Sequence, residues 1–103
     1  MRKIKVGVMF GGRSAEHEIS LLSAYNIIAS IPKKKYVVVP IGVKKDGSYL
    51  FFPKGQYILD AQDAKKVRLA QGGVPITFQF GTTNRIVSLR DRNFQKRLDV
   101  IFP

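Results

Sequence analysis

The sequence predicts an α/β fold, an open and mostly parallel sheet with flanking helices and added antiparallel hairpins, and three observations predict it. Residues 3–10 (Lys-Ile-Lys-Val-Gly-Val-Met-Phe) alternate and then become continuously apolar, as in a strand buried on both faces. The period then changes: Leu21, Ala24, Ile28 and Ile31, supported by Ile27, make a helical stripe that lays one face on a sheet. Residues 36–43 (Tyr-Val-Val-Val-Pro-Ile-Gly-Val) form a second β-branched run. Two strands around one helix make a βαβ unit, whose crossover is right-handed and whose strands are most often parallel.

Each element has its stop signal. Gly11-Gly12 ends the first strand, and Pro32 with Lys33, Lys34 and Lys35 ends the helix. Pro40 lacks an N–H and locally weakens the second strand. The Asp46-Gly47 pair in Lys44-Lys45-Asp46-Gly47-Ser48 favours a tight turn, from which residues 49–52 return as a short antiparallel strand. Residues 53–73 are mixed in period up to Gly72-Gly73, so no element is assigned there. Residues 74–80 and 86–89, joined across Gly81-Thr82-Thr83-Asn84, read as a second hairpin. Residues 98–103 are a further apolar run, where a buried strand would hand over to a loop; the architecture is expected to continue beyond it.

With 103 residues and 45% hydrophobic content the chain suits one domain, residues 1–103. No apolar run approaches the roughly 20 residues of a membrane-spanning helix, so an untargeted, cytoplasmic protein with no membrane partner is expected. Cysteine is absent, which excludes disulfides and thiolate metal sites. Eighteen Lys and Arg against seven Asp and Glu give a net charge of +11, which raises a nucleic acid or other polyanion as partner. The basic residues are spread along the chain, however: Lys33–Lys35, Lys44 and Lys45, Lys65, Lys66 and Arg68, and Arg90, Arg92, Lys96 and Arg97. That spacing suits a solvated rim better than one binding face, so the basic-module reading is kept only as the alternative.

In open α/β sheets ligands sit beyond the carboxyl ends of the strands, which directs attention to Gly11-Gly12-Arg13-Ser14-Ala15-Glu16-His17-Glu18-Ile19-Ser20. The glycines allow positive φ, and the helix start presents free N–H groups suited to an anion. No G-x-G-x-x-G fits. Residues 7–14 approach a phosphate-binding loop, but Arg13 stands where Lys is required and Val8, Met9 and Phe10 are strand-like. Glu16, in the first helical turn, is kept ionised by the helix dipole and would repel a phosphate but attract an ammonium. An amino-acid amine therefore suits the site better than an anion; alternatively Glu16 only complements the dipole, worth up to about 1 kcal/mol. Glu16 and Glu18 are the only glutamates and His17 the only histidine, which leaves little support for a histidine-based metal site or catalytic dyad. Ser14 suits a helix cap, Ser20 and Ser23 lack an activating base, and Ile19 faces either the core or the ligand.

The run Phe10-Gly11-Gly12-Arg13-Ser14-Ala15-Glu16-His17-Glu18-Ile19-Ser20-Leu21-Leu22-Ser23-Ala24 closely resembles the N-terminal motif of D-alanine–D-alanine ligases, of the ATP-grasp superfamily. Residues 36–52, with Ile41-Gly42-Val43 before Lys45-Asp46-Gly47, are similar to the strand and hairpin that follow in the longer subgroup. Asp99-Val100-Ile101-Phe102-Pro103 resembles the strand before the family's His-Gly and Glu-Asp-Gly segment, and the likeness is thin over 53–95. The resemblance implies a Rossmann-like pre-ATP-grasp domain of an enzyme that joins two D-alanines for peptidoglycan synthesis. ATP and Mg²⁺ activate the first D-alanine as an acyl phosphate, which the amine of the second attacks. The glutamate matching Glu16 holds the first ammonium, and the aliphatic residue matching Ile19 lies against its methyl group. Homodimers are common in the family. The sequence stops before the ATP- and magnesium-binding region, so no cofactor binding and no activity are expected of it without the remainder of the ligase chain. An exposed ion pair alone, worth about 0–1 kcal/mol, implies weak D-alanine binding.

Overall fold

A computed structural model describes residues 2–12, 17–53, 56–63 and 67–102, with side chains of the helix described from Leu21 onward. The elements are β1 (Ile4–Gly11), α1 (His17–Ser30), β2 (Tyr36–Val43), β3 (Tyr49–Phe51), β4 (Ile58–Leu59), β5 (Arg68–Leu69), β6 (Val74–Gln79), β7 (Asn84–Ser88), β8 (Gln95–Leu98) and β9 (Val100–Phe102). The expected βαβ unit is present: β1 and β2 are parallel neighbours, paired from Ile4↔Tyr36 to Gly11↔Val43. Alternation then divides their side chains between two faces. Val6, Val8 and Phe10 with Val38 face α1, whereas Met9 with Val39 and Ile41 faces the other way.

The sheet departs from the expected open, mostly parallel arrangement. Seven strands lie in the order β8-β7-β6-β3-β2-β1-β9, and only β1–β2 and β1–β9 pair in parallel. The pairings β2–β3, β3–β6, β6–β7 and β7–β8 are antiparallel. The hairpins expected as additions are thus continuous with the main sheet. They cover its second face themselves, with Ile76, Ile86 and Leu98 packing on Val39, Ile41 and Phe51. Among the described residues α1 is the one helix, and it covers the first face. Gly7 makes this closure possible: a Cβ there would lie 3.0 Å from Leu98 Cδ1, so β8 can pack directly against β1. Only Asp99 separates β8 from β9, although they occupy opposite ends of the strand order. The sheet therefore curls toward closure, and Asp99 pins the seam by accepting the Lys5 N–H on its carboxylate (2.8 Å) and donating its own N–H to Lys5 O (2.9 Å).

Leu21, Ala24 and Ile28 are buried and Ile31 half-buried, as the helical stripe requires, but Ile27 is exposed because it falls outside that arc. Pro40 is tolerated inside β2 because the β3 ladder begins only at Ile41. The Asp46-Gly47 turn forms as expected: Gly47 adopts φ 91°, and the Asp46 carboxylate accepts the Ser48 N–H (2.9 Å) and hydroxyl (2.6 Å). Within residues 53–73, β4 and β5 pair as a two-stranded ribbon, and Ile58 of β4 with Val67 and Ala70, which flank β5, fills the α1 side of the core. Asp60 turns at φ 55° and pairs with Arg68.

Candidate functional site

Because β1, β2 and β9 run parallel, their carboxyl ends share one edge of the sheet, the expected place for a ligand. At that edge β1 ends in two consecutive left-handed glycines, Gly11 at φ 98° and Gly12 at φ 114°. Gly12 donates its N–H to Val43 O at 2.9 Å, which ties the turn to the end of β2. A Cβ on Gly12 would meet nothing within 4 Å, so its φ and not crowding is what favours glycine there. The support beneath is closely packed. Phe10 is 2% exposed and packs against the Tyr57 ring at 5.4 Å, and Leu21, one turn into α1, is fully buried.

Tyr57 is the supporting residue that sequence reasoning missed, because it lies in the stretch whose period is mixed. Burial, followed by the nearby Tyr25, raises its phenol above the ordinary value of 10.0, so it stays neutral beneath the strand end. Glu16 lies outside the described residues, as do Arg13, Ser14 and Ala15. The backbone of Ile19 is in α1, but its side chain lies outside them too, with those of His17, Glu18 and Ser20. The structure therefore brings the two ends of the predicted loop, Gly12 and His17, to the carboxyl edge and does not describe the side chains between them. No group of three or more His, Cys, Asp or Glu suited to a metal occurs among the described residues. Likewise, no helix among them is long and apolar enough to cross a membrane.

The family model for the D-ala D-ala ligase N-terminus matches residues 5–103. D-alanine--D-alanine ligase of Oceanobacillus iheyensis is 39% identical over 98% of this chain and 28% of its own length. D-alanine--D-alanine ligase A of Escherichia coli K12 is 35% identical over the whole chain and 29% of its own. Among solved structures, the D-alanine-D-alanine ligase of Coxiella burnetii superposes with a TM-score of 0.71 at 27% identity, covering 100% of this chain and 28% of that one. The VanG D-Ala:D-Ser ligase of Enterococcus faecalis shares the fold alone, with a TM-score of 0.75 at 20% identity over 99% of this chain and 29% of that one. The chain thus spans less than a third of the length of these relatives. The nucleic-acid reading gains no support from any of this, and the described basic residues are spread over several strands and connections, among the latter the α1–β2, β2–β3 and β7–β8 turns. A match over nearly every residue, on a fold shared with solved ligases, places the chain in the D-ala D-ala ligase N-terminus family, as the N-terminal part of a ligase.

Proposed function

We propose that this chain is the amino-acid-binding lobe of a D-alanine–D-alanine ligase, acting with the remainder of the ligase chain. The observation that carries the reading is the family match from residue 5 to 103, which includes the loop between β1 and α1. Its frame agrees: a left-handed glycine pair at the carboxyl edge of the parallel strands leads into α1. In this reading Glu16 holds the ammonium of the first D-alanine and Ile19 lies against its methyl group. A carboxylate in the first turn of a helix remains ionised in the dipole's field, so it attracts the ammonium.

ATP and Mg²⁺ are assigned to the part of the ligase outside the matched segment. A cytoplasmic homodimer contributing to peptidoglycan precursor synthesis completes the proposal.

The test is Glu16→Gln in the complete ligase. A charge-assisted hydrogen bond contributes about 1.5–3 kcal/mol, so kcat/KM for D-alanine is expected to fall about 10- to 150-fold. An unchanged kcat/KM would remove Glu16 from the site.

A further inference from the structure

A second site lies away from the carboxyl edge, on the outer face of the β6-β7-β8 meander. Arg85 and Arg97 stand directly opposite each other in the β7–β8 ladder, so both side chains leave the sheet on the same face. Like charges in that position repel. Arg85 has no carboxylate partner among the described residues; its guanidinium is instead oriented by neutral acceptors, Gln95 Oε1 at 2.6 Å and Thr83 Oγ1 at 3.0 Å. Among the described residues Arg97 pairs with Asp99, at 3.5 Å, and that carboxylate also serves Arg2 at 3.6 Å and the Lys5 N–H at 2.8 Å. The pair is therefore under-neutralised, and one member is held in place by neutral groups.

Thr83, Arg85, Gln95 and Arg97 line one depression of about 230 Å³. A second, of about 310 Å³, shares Thr83 and Arg85 with it and is bounded by Phe80. Phe80 is 66% exposed and stacks on Phe78 with centroids 5.7 Å apart. Two planar guanidinium forks converging on one space match a tetrahedral oxyanion, which can take paired N–H donors from both.

We propose that Arg85 and Arg97 form a binding site for a small phosphate, independent of the amino-acid site at the β1–α1 loop. Bound between the two guanidinium groups, the phosphate replaces their repulsion with two attractive contacts. This small-anion pocket is distinct from a polyanion surface, which would need many spread phosphate contacts.

The test is titration of the protein with inorganic phosphate, and in parallel with adenosine 5′-monophosphate, at constant ionic strength. The arginine side-chain N–H resonances provide the readout. Saturable shifts at Arg85 and Arg97 are expected, with Arg85→Gln and Arg97→Gln each weakening binding about tenfold or more and Arg92→Gln leaving it unchanged. Should Arg85→Gln fail to fold, Arg97→Lys keeps the charge, loses the fork and is expected to bind more weakly. Tighter binding of the nucleotide would identify the ligand as a phosphate ester, and equal binding as free phosphate. Non-saturating shifts reproduced by chloride, or undiminished binding in the arginine variants, would overturn the proposal.

Discussion

Replacing Gly12 by alanine separates backbone conformation from space. A Cβ at Gly12 would meet nothing within 4 Å, so overpacking costs nothing there. Its φ of 114° is nevertheless one that L-residues rarely adopt, and holding such a residue in that region costs about 1–3 kcal/mol. If the loop relaxes instead, it gives up the Gly12–Val43 hydrogen bond, which alone contributes about 0.5–1.5 kcal/mol. Two further glycines serve as internal standards. Gly72 has the same open surroundings and φ 89°, far from the β1–α1 loop in sequence; Gly81 is equally open but lies outside the left-handed region. Urea denaturation should therefore show Gly12→Ala and Gly72→Ala destabilised by about 1–3 kcal/mol. For a domain of this size that is a loss of about 5–20 °C in Tm. Gly81→Ala should be neutral or more stable by about 0.4–1 kcal/mol, because it restricts the unfolded chain. In the complete ligase, Gly12→Ala should also raise KM for D-alanine, and Gly72→Ala should not. Equal stability of all three variants would refute the conformational argument, and an unchanged KM for Gly12→Ala would detach this turn from the substrate site.

Leu98 is 3% exposed and sits over Gly7, so Leu98→Ala should cost about 2.7–5 kcal/mol in chemical denaturation, and a loss below 1 kcal/mol would show that β8 does not seal the sheet. The raised Tyr57 phenol keeps its proton in the folded state above pH 10, where the unfolded chain has begun to lose it. The folded state then binds more protons, so stability falls as pH rises from 10 toward the folded value. Tyr57→Phe should flatten that fall in pH-dependent unfolding and delete an absorbance step above pH 10 from the tyrosine titration; an unaltered titration would refute it.

The elements legible in the sequence were those whose signals are local. β1, α1 and β2 follow from period, and the β2–β3 turn from Asp46-Gly47, because side-chain alternation and turn chemistry act over a few residues. Strand partnership is a different kind of information. The 98–103 run showed its apolar character, but nothing in it shows that β9 lies beside β1 or that β6, β7 and β8 extend the sheet on the antiparallel side. The β4–β5 ribbon was hidden for a related reason: each strand is two residues long, too short to display a period, and its Ile58 and Val67 are buried by tertiary contact. At the candidate site the sequence supplied the glycine turn, which the structure places at the carboxyl edge, while the support from Tyr57 depends on a contact across 47 positions with Phe10.

The seam at Asp99 also governs the timing of folding. Val6 of β1 aligns with Val100 of β9, and the Lys5 N–H bonds to a carboxylate 94 positions away. During synthesis β1, α1 and β2 emerge first and can collapse, but the far side of β1 stays unpaired until residues 100–102 have been made and released from the ribosome. Such distant pairings form slowly because a large loop must close before any contact rewards it. The nascent domain therefore passes through a period with an open apolar strand edge, a template for pairing with other chains. Gly7, which admits Leu98 once β8 arrives, marks where that waiting edge is finally closed.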